Sequence, residues 1–220
     1  PSILVAGGAG FIGAQTCKAL YRAGYLPVTL DNLSTGYGAA VRWGPFHPGD
    51  LRDRELVMQL VRQYDIKAAI HFAAYSLVGE SVTNPSKYYD NNVGAATLFA
   101  SALIEAGVEA LVFSSTAAVY GVPSVSLIPE THPTVPINPY GASKLAFEGA
   151  LRWLGEAHPF RWTALRYFNA AGADPDGEVG ESHVPETHLI PLLCKACLGS
   201  GKGLTVFGQD YDTPDGTPIR

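Results

Sequence analysis

Tyr140 and Lys144 stand four residues apart in NPYGASKLAFEG, a spacing that puts both side chains on one face of a helix. A free phenol has a pKa of about 10, so near pH 7 its anion lies about 4 kcal/mol out of reach. A neighbouring ammonium, helped by any further positive charge, stabilises the phenolate and lowers that cost. Tyr140 could then remove a hydroxyl proton while a hydride leaves the same carbon. Thr116, at the end of the strand-like run in FSSTAAVYG, is placed to hydrogen-bond the reacting oxygen.

A departing hydride needs an acceptor, and VAGGAGFIGAQTC at residues 5–17 supplies a place for one. Its glycines read either as Gly7, Gly10 and Gly13 at even spacing or as a G-x-G-x-x-G at Gly8, Gly10 and Gly13. Glycines here permit a sharp turn, close approach of backbone N–H groups to a pyrophosphate, and packing of helix on strand. The positive end of the following helix then faces the phosphates. The motif sits between a strand and a helix, and a second strand follows that ends in Asp31, eighteen residues after Gly13. A carboxylate there binds ribose hydroxyls and repels a 2′-phosphate, by up to roughly 4 kcal/mol at an effective dielectric near 20. NAD is favoured over NADP.

These groups must be held by a scaffold, and strand alternates with helix along most of the chain. SILVA, PVTLD, a run ending in GDL, AAIHFAA, EALVFSS and WTALRYFN read as strands. Phe11 to Ala23 (closed by Gly24), Arg54 to Gln63, Ser86 to Ala106 and Pro139 to Ala157 read as helices. Continuous apolar runs imply strands covered on both faces, hence a Rossmann-like, doubly wound parallel α/β sheet with helices on both sides. After Asn169 the rhythm gives way to AAGADPDGEVGESHVPETHLIP, then to a helix over Leu189 to Leu198 and a strand over LTVFG. The predicted division is a dinucleotide-binding domain over 1–170 and an incomplete substrate-binding portion over 171–220.

Together VAGGAGFIG, LDNLSTG, HFAAYSLVGES, YYDNNVGAATLF, FSSTAAVYG, PYGASK and RYFNAAGADPDGEVGE resemble the extended short-chain dehydrogenase/reductase superfamily, and within it the nucleotide-sugar 4-epimerases. GESVTNPSKYYDNNV and LTVFGQDYDTPDGT are the most specific segments, and the likeness runs the length of the chain. The resemblance implies transient oxidation at C4 of a UDP-sugar, interconverting UDP-glucose and UDP-galactose, with NAD retained. It implies that Gly7, Gly8, Gly10, Phe11, Ile12 and Gly13 contact the pyrophosphate, and Asp31 and Asn32 the adenosine ribose. Asp50 and Leu51 would flank the adenine; Phe72, Ala73, Ala74, Ser76, Asn91 and Phe168 would lie on the nicotinamide side. Thr116, Tyr140 and Lys144 would form the catalytic trio. Asn169, His188, Leu189, Thr205, Phe207 and Arg220, with Thr116, would bind the sugar nucleotide. Ser76 stands where some members carry Lys, and His188 where some carry Asn.

Dehydratases and decarboxylases of the superfamily place acidic residues directly after the strand-end Ser or Thr, whereas Ala117 and Ala118 follow Thr116 here. A 4-epimerase acting on an N-acetylhexosamine or pentose nucleotide, and a non-catalytic NAD-binding protein, stay open. A net charge of −5 and a pI near 5.6 argue against nucleic acid or an anionic membrane as partner. No apolar run reaches membrane-span length, no basic leader precedes SILVAG, and a cytoplasmic protein is expected. Cys194 and Cys197 form a C-x-x-C in an apolar helical run and read as two buried helix residues. With no H-x-x-x-H and no mixed carboxylate cluster visible, no metal is predicted. A homodimer through the helices near 86–106 and 139–157 is implied by the resemblance, with Leu98, Leu145 and Trp153 as outer apolar positions.

Overall fold

A computed structural model describes residues 1–200, 205–206 and 208–217. They form two compact units, Pro1–Val179 and Gly180–Arg220.

The first unit is built on six parallel strands: β1 Ser2–Ala6, β2 Leu26–Asp31, β3 Phe46–Pro48, β4 Ala68–His71, β5 Ala110–Thr116 and β6 Arg161–Tyr167. Their order is β3-β2-β1-β4-β5-β6. The chain runs outward from β1 to β3, then crosses back to lay β4 on the other side of β1, so the order reverses at the β1–β4 boundary. In such sheets the crevice at the carboxyl ends of the strands, at that reversal, receives the ligand. The register brings Ala6 beside both Leu30 and His71, and Thr116 beside Tyr167.

Local chemistry sets the helix boundaries. α1 Phe11–Arg22 ends before Gly24, whose φ of +83° suits a residue without Cβ. α2 Arg54–Tyr64 starts where the Asp53 carboxylate accepts the Leu56 N–H at 3.0 Å. α6 Pro139–Ala157 starts with Asn138 accepting the Gly141 N–H at 2.8 Å and with proline in the first turn, where its missing N–H costs nothing. Leu30, Val57, Leu60, Ile66, Phe99, Leu103, Leu111, Phe113, Phe147 and Leu151 form one continuous core between sheet and helices.

Four expectations need correction. The helix read over Ser86 to Ala106 is α4 Pro85–Tyr89, a π-helical turn Asp90–Ala95 and α5 Ala96–Glu105, preceded by a short α3 Val78–Thr83. The wide turn carries Asn92 inward, where it is buried. β4 stops at His71, short of the apolar run AAIHFAA, because the Phe72 and Ala73 N–H groups both turn onto the Ala6 carbonyl, at 2.8 and 3.1 Å. The edge strand β3 lies before GDL, not through it. Cys194 and Cys197 are exposed, since α7 Leu189–Cys197 has no buried residue. Phe207 and Arg220 lie outside the described residues, as does part of LTVFG.

Candidate active site

The turn leaving β1 is shaped by its own packing. Gly7 has φ +83°, and a Cβ there would meet the Ala73 backbone nitrogen at 2.5 Å. A Cβ on Gly13 would meet the Gly7 carbonyl oxygen at 2.1 Å, and one on Gly8 the Thr29 side chain at 2.8 Å. The sharp turn thus belongs to Gly7, and the Gly7-Gly10-Gly13 spelling is the structural one. Gly10 differs: a Cβ there would touch only the Gly7 oxygen at 3.5 Å, an ordinary contact. Among the described residues no neighbour requires glycine at that position, which leaves room for close approach from outside.

α1 begins directly at this point, with no side-chain cap and no acidic residue in its first turn. The N–H groups of Phe11, Ile12 and Gly13 have no partners four residues back within the helix. An uncapped, unneutralised helix start beside a clear Gly10 fits a pyrophosphate. Asp31 closes the other side. One carboxylate oxygen accepts the Ala9 N–H at 3.0 Å and the other the Leu33 N–H at 2.8 Å. Asp31 therefore makes the local turn and also fixes the glycine loop, with acceptor capacity left for ribose hydroxyls. Asn32 donates to Asp50 at 3.0 Å. Partial burial of Asp50 raises its pKa, but hydrogen bonds from the Arg52 backbone, Asn32 and the Arg52 side chain outweigh it and hold the carboxyl below its usual value. Leu51 is buried in the core, while Phe72, Ala73 and Ala74 are half-buried and Ser76 is exposed.

Thr116 ends β5 and Tyr140 begins α6. The Thr116 hydroxyl oxygen accepts the Ala118 N–H at 3.1 Å, leaving its proton for Tyr140. Burial raises the Tyr140 phenol above its ordinary pKa, and the hydrogen bond from Thr116 opposes that. Lys144, one turn on, is buried and donates to the Ser114 carbonyl at 2.8 Å. Burial alone brings its pKa down to about 7. Enclosure thus makes Lys144 hold its proton less firmly than an exposed ammonium does.

Two buried networks hold this trio, and neither is evident from motif spacing. In the first, Asn92 accepts the Tyr75 N–H at 3.0 Å and donates to the Tyr75 carbonyl at 2.9 Å and to Ser143 Oγ at 3.2 Å. Ser143 Oγ in turn donates to the Tyr140 carbonyl at 2.8 Å. Ala73 touches the Gly7 turn two residues before Tyr75, so a continuous chain of contacts joins the glycine loop to Tyr140. Asn91, the residue expected to face the nicotinamide, donates to Asn92 at 3.1 Å. In the second network Glu148 accepts Ser115 Oγ and both the Nε and a terminal nitrogen of Arg166, the latter pair at 3.1 and 2.7 Å. Arg166 also donates to the Tyr120 hydroxyl at 2.9 Å. β5, α6 and β6 are thereby pinned to one another directly beneath Thr116. An inward-facing Asn in an apolar helix and a Glu in the core stripe of α6 were the available signals.

Phe168 and Asn169 follow β6 and are exposed. In the second unit His188 stands at the N-cap position of α7 without a side-chain capping bond, Leu189 opens the helix, and Thr205 is exposed. The structure does gather a mixed carboxylate cluster that spacing did not reveal: one donor atom from each of Glu181, His183, Glu186 and His188, all within 4.8 Å of one another. Glu186 Oε1 accepts the Thr187 and His188 N–H groups at 2.8 and 2.9 Å and meets His188 Nδ1 at 2.8 Å. Glu181 lies 3.0 Å from the same nitrogen. These carboxylates orient the His188 ring.

Residues 3–220 match the family described as the NAD dependent epimerase/dehydratase family. The chain is 50% identical over 219 residues to UDP-glucose 4-epimerase of Rhizobium meliloti, covering 100% of this chain and 67% of that protein. It is 48% identical over 220 residues to UDP-glucose 4-epimerase of Lacticaseibacillus casei, covering 100% of this chain and 66% of the relative. The crystal structure of UDP-glucose 4-epimerase from Brucella ovis in complex with NAD superposes with a TM-score of 0.94 at 50% identity, over 97% of this chain and 66% of that one. The enzyme from Bifidobacterium longum in complex with NAD+ and UDP gives 0.93 at 37% identity, over 99% and 68%. The chain spans about two thirds of the length of the curated relatives it matches.

Proposed function

The chain belongs to the NAD dependent epimerase/dehydratase family, and on that premise we propose that it is an isomerase interconverting UDP-glucose and UDP-galactose. The observation that carries the proposal is the convergence of Thr116, Tyr140 and Lys144 at the carboxyl edge of the sheet, tied through Ser143, Asn92 and Tyr75 to the glycine loop. The uncapped start of α1 and Asp31 would hold NAD. When bound, NAD supplies the acceptor, and later the donor, of the C4 hydride.

The protein's own part is proton handling and orientation. Thr116 donates its one hydroxyl proton to Tyr140 Oη and so holds the phenol towards the sugar O4. Tyr140 takes the O4 proton as the C4–H bond breaks and returns it when the 4-keto sugar, turned over in the site, is reduced on its opposite face. No net oxidation results. Lys144, one turn further along α6, lowers the cost of the phenolate when it carries its proton. Ala117 and Ala118 offer no second acid or base after Thr116, which disfavours dehydration or decarboxylation.

In this reading residues 1–170 form the dinucleotide-binding domain and 171–220 the first part of the substrate-binding region, with Asn169, His188, Leu189, Thr205, Phe207 and Arg220 on the sugar nucleotide. Exposed Leu98 on α5 and Trp153 on α6 support a homodimer through these helices. No helix among the described residues is long and apolar enough to cross a membrane. Three free thiols suit a reducing compartment such as the cytoplasm. Incubation with UDP-galactose, followed by measurement of UDP-glucose and of NAD freed on denaturation, tests the proposal. Tyr140→Phe is expected to keep the dinucleotide and lose nearly all turnover; full activity in that variant would refute the proton-acceptor assignment.

A further inference from the structure

We propose that Lys18 and Asp174 form a clamp that positions the Phe168–Asn169 segment. The clamp itself stands on geometry; its effect on catalysis rests on the function proposed above. Lys18 lies in the middle of α1, yet its side chain is only 4% exposed and its ammonium sits 2.6 Å from Asp174, 2.6 Å from Asp176 and 2.9 Å from Glu178. The Asp174 side chain is 2% exposed. Its Oδ2 also accepts the Glu178 and Val179 N–H groups at 2.7 and 3.1 Å, so one carboxylate both folds its own loop and seats it on α1. Arg22 reaches Asp176 at 2.5 Å, and Arg42 the Glu178 carbonyl at 3.1 Å.

The placement says why this matters. After β6 every residue from Phe168 to Ala173 is exposed, and Asp174 is the next buried one. Asp174 is thus the first buried residue to anchor the stretch that carries Phe168 and Asn169 after it leaves β6. In the function proposed above, α1 is also the helix whose start would face the pyrophosphate. Lys18 is seven residues past Phe11, about 10 Å along the axis at 1.5 Å per residue. One helix therefore carries the glycine-loop turn at its tip and the Lys18–Asp174 contact at its middle. A buried ion pair contributes little net stability compared with apolar residues of the same volume, but removing one partner leaves the other charge stranded. Its value here is in fixing where the segment lies.

The test compares the full chain with Lys18→Met and, in case that variant fails to fold, Asp174→Asn. Amide hydrogen exchange is followed at Glu178 and Val179, and UDP-galactose turnover is measured with NAD content recorded. Exchange at those two amides is expected to speed up at least tenfold, with strand β1 unchanged. The KM for UDP-galactose should rise about fivefold, with kcat within twofold and NAD retained. Unchanged exchange at Glu178 and Val179 would overturn the clamp. Faster exchange with an unmoved KM would reduce the pair to a structural contact and overturn its positioning role. Absence of turnover in the unmodified chain would count against the proposed reaction alone, and exchange would then decide the clamp.

Discussion

Replacing Lys144 by Met should make the protein more stable and catalytically dead. The lysine is fully enclosed, and burial takes its pKa from 10.5 to about 7. At pH 7 the unfolded chain holds the proton almost completely while the folded one half releases it, a linkage worth about 4 kcal/mol against folding. Met fills similar space without charge. Against the gain stands the lost hydrogen bond to the Ser114 carbonyl, about 1 kcal/mol. The net expectation is about 3 kcal/mol, or a Tm increase of roughly 6–12 °C for a chain of this size. The sign fixes the pH dependence. The folded pKa lies below the unfolded one, so the penalty is complete below pH 7 and fades as pH rises towards 10.5. The advantage of Lys144→Met should shrink to about zero by pH 9.5. Urea unfolding at pH 7, 8.5 and 9.5 measures this, with dinucleotide content determined for each sample because a ligand binding only the folded state adds its own stabilisation. A variant less stable than the parent at pH 7, or an advantage independent of pH, would refute the reasoning.

Gly13→Ala should lose bound NAD, read from absorbance of the denatured supernatant, because its methyl group would collide with the Gly7 carbonyl at 2.1 Å and force the cradle open. His71, packed among Phe99, Phe113 and Phe147, has its pKa pushed down to about 3 by burial and by the Lys144 charge. Stability linked to neutral His71 is present above about pH 6.5 and is lost as pH falls towards 3, so His71→Leu should gain about 3 kcal/mol over the parent between pH 7 and pH 4; equal acid sensitivity in urea titrations of the two would show that His71 is not the responsive group.

What the sequence discloses and conceals follows a physical division. Apolar runs and capping residues report local preferences, and so the alternation of strand and helix, the bounds of α6 at Pro139 and Ala157, and the glycine turn leading into α1 could be read directly. The cooperation of residues far apart could not. Nothing in YYDNNVGA says that the helix widens to turn Asn92 inward, since the hydrogen bonds that favour it come from Tyr75 and Ser143. Glu148 stands in the core stripe of α6, but its partners Ser115 and Arg166 come from β5 and β6 and meet it only once those strands are assembled. Glu181, His183, Glu186 and His188 follow no ligand spacing, yet a folded loop brings them together. Lys144 was legible in place and type, but its weakened charge comes from enclosure by the finished core.

The mutual contact of Gly7, Gly13 and Ala73 has one more implication. A receptor already rigid before its guest arrives surrenders little disorder on association, so most of the attraction goes into residence time. Such a crevice suits a molecule kept for the working life of the enzyme more than one exchanged at each turnover. The fingerprint glycines would then set how long the dinucleotide stays as much as where it sits.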